Sequence, residues 1–133
     1  MPHVSRRKLD KNSEVKLLEA LESVLGRLSK IESREFLFSL LSPTERLMLA
    51  KRLGIIVLLS EKVPHSSIAS ALNVTRETVS RVKLNRELRG EGYDLALEKL
   101  AQEKMNKEFR NFLLKLAGYS IRAAGGYVKP EIL

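Results

Sequence analysis

Apolar residues recur at helical spacing along most of this chain, and the polar residues between them mark where helices start and stop. After a polar, basic opening, Leu17, Leu18, Leu21, Val24, Leu25, Leu28 and Ile31 fall mostly three or four apart. They predict a helix capped by Asn12 or Ser13 that runs to about Ser29 or beyond. Phe36, Leu37, Leu40 and Leu41 predict a second helix over residues 33–41. The clearest helix start follows: Ser42 as cap, Pro43 at the first helical position, and Glu45 three residues after the cap. The helix it opens carries Leu47, Leu49, Ala50, Leu53, Ile56 and Val57 to about Ser60, ahead of Pro64. The apolar run at 54–59 reads as part of this helix, since no turn residue bounds it on the N-terminal side and no partner strand exists elsewhere. Gly54 costs about 1 kcal/mol relative to alanine in a helix interior, which predicts close packing against another backbone.

Residues 65–84 follow the spacing of a helix-turn-helix. Ile68, Leu72, Val74, Val79 and Val82 would face inward if two short helices crossed, and Ala69 is small where they would approach most closely. Asn73 tolerates the left-handed backbone that the turn requires, and Thr75 is placed to cap the second helix. That arrangement leaves Arg76, Glu77, Thr78, Ser80 and Arg81 on the outward face near the N-terminus of the second helix, where such motifs meet base edges in the major groove. An ordinary helical hairpin in a globular core would show the same inward pattern and also a polar outward face. Beyond the motif, the two glycines of RGEGY (residues 89–93) read as a break. Leu97, Leu100, Ala101, Met105, Phe109, Phe112, Leu113 and Leu116 then predict one long amphipathic helix from about Asp94 to Ala117, roughly 24 residues and 36 Å long. Gly118, Gly125, Gly126 and Pro130 punctuate a flexible tail.

The division expected from these elements is a basic N-terminal arm at 1–12, a helix-turn-helix domain at 13–93, and a C-terminal helix and tail at 94–133. A chain of 133 residues supports one domain with a real core. The absence of cysteine removes disulfides and thiolate metal sites. The apolar run at 55–59 is far short of a bilayer span, and the opening lacks the apolar segment of a secretory signal. The expectation is a cytoplasmic protein with no membrane partner. Of the net charge of +8, residues 1–12 carry +3, from Arg6, Arg7, Lys8 and Lys11 against Asp10. Residues 62–89 carry +4, from six basic residues against Glu77 and Glu87. Positive charge gathered on the motif and the arm suits a phosphate backbone, although RNA or an anionic membrane would attract it too.

When the SPTERLMLAKRLGII of residues 42–56 is joined to the SSIASALNVTRETVSRV of residues 66–82, the sequence resembles the tryptophan repressor family of bacterial transcription regulators and its related helix-turn-helix proteins. The resemblance covers roughly residues 14–93, and its most specific parts are Leu41 to Arg46, Arg52, and Thr78 to Arg81. NRELRGEGY, from Asn85 to Tyr93, is closer to the tryptophan-repressor-related subgroup. The resemblance implies an all-α, multi-helix fold and an intertwined two-fold homodimer in which N-terminal helices of both chains share one core. The stripe at Leu17 to Leu28 is consistent with this, and would equally serve packing within one chain.

By that resemblance Arg76, Glu77, Thr78 and Ser80 lie against base edges or nearby phosphates of double-stranded DNA, and Ser66 lies near the backbone. Arg76 can pair bidentately with guanine and Glu77 can accept from cytosine, while Lys83, Arg6 and Arg7 can only neutralise phosphate. Glu77 would also stabilise the helix dipole with no DNA present. In tryptophan-binding members two arginines, matching Arg52 and Arg81, clamp the indole, and carbonyls near Leu41 and Ser42 hold the amino group. A glycine that leaves room for the ligand corresponds here to Val82, and a serine to Asn85. Valine fills the space an indole needs, so the expectation is a DNA-binding regulator, a repressor, without tryptophan as cofactor. The retained Arg81 is then free to bind phosphate.

A second reading is a protein-interaction adaptor whose helix-turn-helix is structural and whose C-terminal helix docks a protein partner. The SPTER segment ahead of a helix-turn-helix also resembles the promoter-binding end of sigma factors. Catalysis finds little support. The histidines are His3 and His65, the glutamates follow helical surfaces without a paired-carboxylate or metal-ligand pattern, and no glycine-rich phosphate loop exists.

Overall fold

The structure is a computed structural model that describes residues 7–102, 105–118, 120–121 and 127–128. Among the described residues the chain is helical apart from one two-residue antiparallel ladder, and it divides into two compact units, Met1–Arg46 and Leu47–Leu133. The division falls inside one helix, α3 (Pro43–Ser60).

In the first unit, local hydrogen bonds at the helix starts set the elements. α1 (Lys11–Arg27) is capped by Asp10, whose carboxylate accepts the Ser13 N–H at 3.1 Å. Asn12 and Ser13, the expected caps, lie inside the helix. An aspartate caps as well as either and adds a negative charge at the positive end of the helix dipole. The bonds from Ser13 hold the Asp10 carboxyl below its ordinary pKa. α1 stops at Arg27, short of the expected end, because Leu28 is extended and Ser29 opens α2 (Lys30–Leu40) with a full capping box. Ser29 Oγ accepts from Glu32 N–H at 3.2 Å, and Glu32 Oε1 accepts from Ser29 N–H at 2.9 Å. Ile31 therefore belongs to α2 rather than to the stripe of α1, and it is 74% exposed.

The start of α3 repeats the device, with Glu45 N–H donating to Ser42 Oγ at 3.1 Å and Ser42 N–H to Glu45 Oε1 at 2.8 Å. Backbone bonds from Ser29 and Ser42 lower the pKa of Glu32 and Glu45. Arg46 lies over the Phe38 ring, 4.5 Å from its centroid, a cation–π contact within this unit. Neither α1 nor α2 buries a residue. Leu17, Leu18, Leu21, Val24 and Leu25, a sequence-predicted apolar stripe, are all exposed.

In the second unit the core forms around α3, whose residues Gly54 to Leu58 are consecutively buried. Its predicted stripe is displaced: Leu47 and Leu49 are exposed, while Ile55 and Leu58 join Ile56 and Val57 inside. Gly54 is closely packed, but against side chains rather than backbone. A Cβ there would stand 3.3 Å from Leu72 Cδ1 and 3.5 Å from Leu113 Cδ2. α3 ends at a tight turn in which Val63 N–H donates to the Leu58 carbonyl and Lys62 N–H to that of Leu59. Lys62 takes φ 60° there, a left-handed conformation that costs a residue with a side chain about 1 kcal/mol.

α4 (His65–Leu72) and α5 (Arg76–Arg89) follow, joined through Asn73 in the left-handed region at φ 53°, ψ 53°. Val74 N–H bonds to the Ala69 carbonyl, and the Lys51 ammonium donates to the Asn73 carbonyl at 3.3 Å, tying the turn to α3. Thr75 caps α5, accepting the Thr78 N–H at 3.1 Å. Ile68, Ala69, Val79 and Val82 are buried, and Leu72 and Val74 pack against them half-buried, as the spacing predicts.

Downstream, the expected two-glycine break is a single joint at Gly90, because α6 (Glu91–Ala101) starts at once and takes Gly92 into its first turn. A Cβ at Gly90 would collide with the Arg86 carbonyl oxygen, whereas one at Gly92 would meet nothing. The single long helix expected over 94–117 is two helices, α6 and α7 (Met105–Leu116), with α6 closed at Gln102 by a bond to the Lys99 carbonyl. That turn resets the phase of the stripe: Leu113, Leu114 and Ala117 are buried, while Phe112 and Leu116 are exposed. Arg110 bridges to Glu61 at 3.3 Å, so α7 is joined to the end of α3 by charge as well as by apolar contact. In the expected tail, Ser120 and Ile121 pair with Val128 and Tyr127. Gly125, Gly126 and Pro130 lie outside the described residues.

Two expected outcomes follow. Leu114→Ala removes a fully enclosed side chain from the core of the second unit and lowers its unfolding free energy by about 2–5 kcal/mol in chemical denaturation. Thr75→Ala removes the cap of α5 and costs about 1 kcal/mol in the same measurement.

Candidate nucleic-acid interface

Helical periodicity and the cap at Thr75 set the surface of α5. Val79 and Val82 turn inward, which leaves Glu77 and Arg81 together on one exposed side and Arg76 and Ser80 on an adjacent one. Arg76 and Ser80 are exposed, and Arg76 makes no ion pair among the described residues. Glu77 and Arg81 form an ion pair at 2.7 Å with 73% and 68% of their side chains exposed. An exposed pair at this spacing contributes only about 0.3–0.5 kcal/mol, so either partner can exchange it for a nucleic-acid contact at little cost. The pair joins both sequence readings of Glu77: a carboxylate near the positive end of the helix, and a polar group presented outward.

Thr78 is turned differently from its neighbours. It is half-buried, and its hydroxyl lies 2.8 Å from that of Thr75, within the cap. Lys83 lies two residues beyond Arg81 and so projects to the opposite side of α5, towards the end of α3 rather than beside Arg81. Ser66 is exposed in the first turn of α4, a helix that begins after Pro64 with no side-chain cap. Its early N–H groups therefore have no side-chain acceptor at the cap, the arrangement that favours an anion at a helix start. Arg7 is exposed, and Arg6 lies outside the described residues.

The residues that the family resemblance assigns to a tryptophan site divide between the two units. In the first, Leu41 closes α2, and Ser42 caps α3 with its carbonyl already accepting the Arg46 N–H at 3.0 Å. In the second, Arg52 is exposed on α3 without an ion pair among the described residues, and Arg81 is engaged with Glu77. Val82 is 4% exposed and belongs to the same buried cluster as Ile68, Val79 and Ile55.

Sequence reasoning did not single out Lys51, Lys62 or Arg86 as structural participants. Arg86 donates to Ser60 Oγ at 3.0 Å and to Asp94 at 3.1 Å, joining α3, α5 and α6. These bonds cross up to 26 residues and have no local signature, although the place of Lys62 between a helix end and Pro64 is a usual one for a left-handed residue.

No curated protein and no solved structure matches the chain. No helix among the described residues is long and apolar enough to cross a membrane. The model of the Trp repressor protein family matches residues 16–116, which extends past the motif and through α7. The matched span includes the serine-capped α3 and the capped α5, and the chain belongs to the Trp repressor family of DNA-binding transcription regulators.

Proposed function

We propose that the chain is a sequence-specific repressor of transcription in the bacterial cytoplasm, reading double-stranded DNA as a two-fold homodimer through residues 65–84. The observation that carries this reading is the N-terminal half of α5: Val79 and Val82 are buried while Arg76, Glu77, Ser80 and Arg81 are exposed beside the cap. Arg76 supplies a bidentate donor for guanine, Glu77 an acceptor for cytosine, and Ser80 and Arg81 contacts to bases or phosphate. Thr78 contributes by fixing the helix start. Ser66, Lys83, Arg6 and Arg7 supply the phosphate contacts that hold the register.

The exposed apolar residues of α1 and α2 support the dimer. Leu17, Leu18, Leu21, Phe38 and Leu40 are too many and too closely spaced to be left to water, and a second copy presents the same surface. Tryptophan has no part in the reading, because buried Val82 fills the space its indole would need. An adaptor role for the C-terminal helix gains no support from α7, whose Leu113, Leu114 and Ala117 belong to the chain's own core.

Affinity for a selected site should fall steeply with salt. Arg76→Ala should reduce discrimination at the contacted base pair by about 1–3 kcal/mol and leave non-specific binding nearly intact. Competition binding against a series of single-base variants measures both. An equal loss on every sequence would remove the base-reading role.

A further inference from the structure

The second unit contains an open pocket of about 550 Å³ where the end of α3, the start of α4, the later turns of α5 and the start of α6 meet. Lys62, His65, Lys83 and Arg86 line it over the apolar side chains of Leu59 and Val63. Its volume is that of a small-molecule site, and its lining is mainly charged, with Leu59 and Val63 as the apolar part.

The charges in the pocket are not balanced within it. Asp94 is held by Arg86, which also donates to Ser60 Oγ, so this pair is fixed and locally neutral. Lys62 and Lys83 have no hydrogen bond or ion pair among the described residues, and Glu87 is the one other carboxylate in the lining. Two exposed lysines without a partner among the described residues thus border one concave space.

The backbone supplies a separate observation. Lys62 occupies a left-handed position at φ 60°, where glycine would sit without strain. Glycine can therefore replace Lys62 and remove its ammonium while keeping the turn. Lys83 lies opposite Arg81 on α5 and continues the side that carries Arg76 and Ser80, so the pocket borders the surface assigned to DNA.

We propose that this pocket binds a small organic anion, with its phosphate or carboxylate group against Lys62 and Lys83 and its apolar body on Leu59 and Val63. The site does not include Val82, and it shares Lys83 with the phosphate contacts proposed for DNA, so the test measures anion binding in the absence of DNA.

The test is a titration of the full chain with phenyl phosphate at constant ionic strength, followed by amide NMR shifts, with inorganic phosphate as a second arm. Saturable shifts confined to residues 59–66 and 83–94, with phenyl phosphate the tighter of the two, are expected. Lys83→Gln and Lys62→Gly should each weaken binding at least about tenfold, the effect of losing one charged hydrogen bond. Lys62→Gly should do so with an unchanged or raised Tm, since glycine relieves the strained turn and a merely structural lysine would leave affinity alone. Unaltered phenyl phosphate affinity in both variants would overturn the proposal, as would shifts spread evenly over every basic segment. So would equal, weak binding of both anions, which would leave Lys62 and Lys83 a general phosphate-attracting surface with no seat for an apolar body.

Discussion

The structure of the second unit depends on the burial of five consecutive residues of α3, Gly54 to Leu58. A helix normally buries one stripe, and a segment hidden all round must be covered by several neighbours. Here α4, α5 and α7 supply the cover: Ile68 and Ala69, then Val79 and Val82, then Leu113, Leu114 and Ala117 close one cluster around Ile55, Ile56 and Leu58. Gly54 permits the close approach of Leu72 and Leu113. Once the inward faces of α4 and α5 are committed to this core, the outward face of α5 follows from helical periodicity. The polar surface that would meet DNA is therefore set by apolar packing on the other side of the same helix.

The motif was legible in sequence because its determinants are local. Asn73 adopts the left-handed turn, Thr75 caps α5, and the positions read as inward are buried or half-buried, all within a span of about twenty residues. The serine and glutamate of α3 were equally plain. The same capping spacing at Ser29 and Glu32 was overlooked because the apolar pattern runs across it, carrying Leu28 and Ile31 in phase with α1. The long C-terminal stripe failed for the same reason: apolar spacing continues through Gln102, where α6 closes, and only the second half reaches full burial, at Leu113 and Leu114, while Tyr93 and Leu97 of α6 are half-buried. Periodicity reports which residues can share a face. It does not report where a helix stops when the stop has no glycine or proline to mark it.

The long-range ties were not legible. Lys51 reaches the Asn73 carbonyl, Arg86 reaches Ser60 and Asp94, and Arg110 reaches Glu61, each across the fold. As sequence, these residues are indistinguishable from solvated surface charge. Their placement explains why the positive charge around the motif is not one uniform patch. Arg76 and Arg81 stand at the outward start of α5, Arg86 is held in a structural bridge, and Lys62 and Lys83 line a pocket at its later turns. Val82 adds a negative constraint on the same helix, since its burial secures the core where the resemblance would otherwise suggest a ligand.

The central claim is that the outward start of α5 reads DNA in a two-fold assembly formed through the exposed apolar residues of α1 and α2. Selection of bound sequences from a random duplex pool by the purified full chain, without and with added tryptophan, tests it most directly. The account predicts one enriched inverted repeat, with half-sites about one helical turn apart, and the same sequence and yield in both conditions. No enriched sequence, or an enriched site that lacks two-fold symmetry, would contradict it.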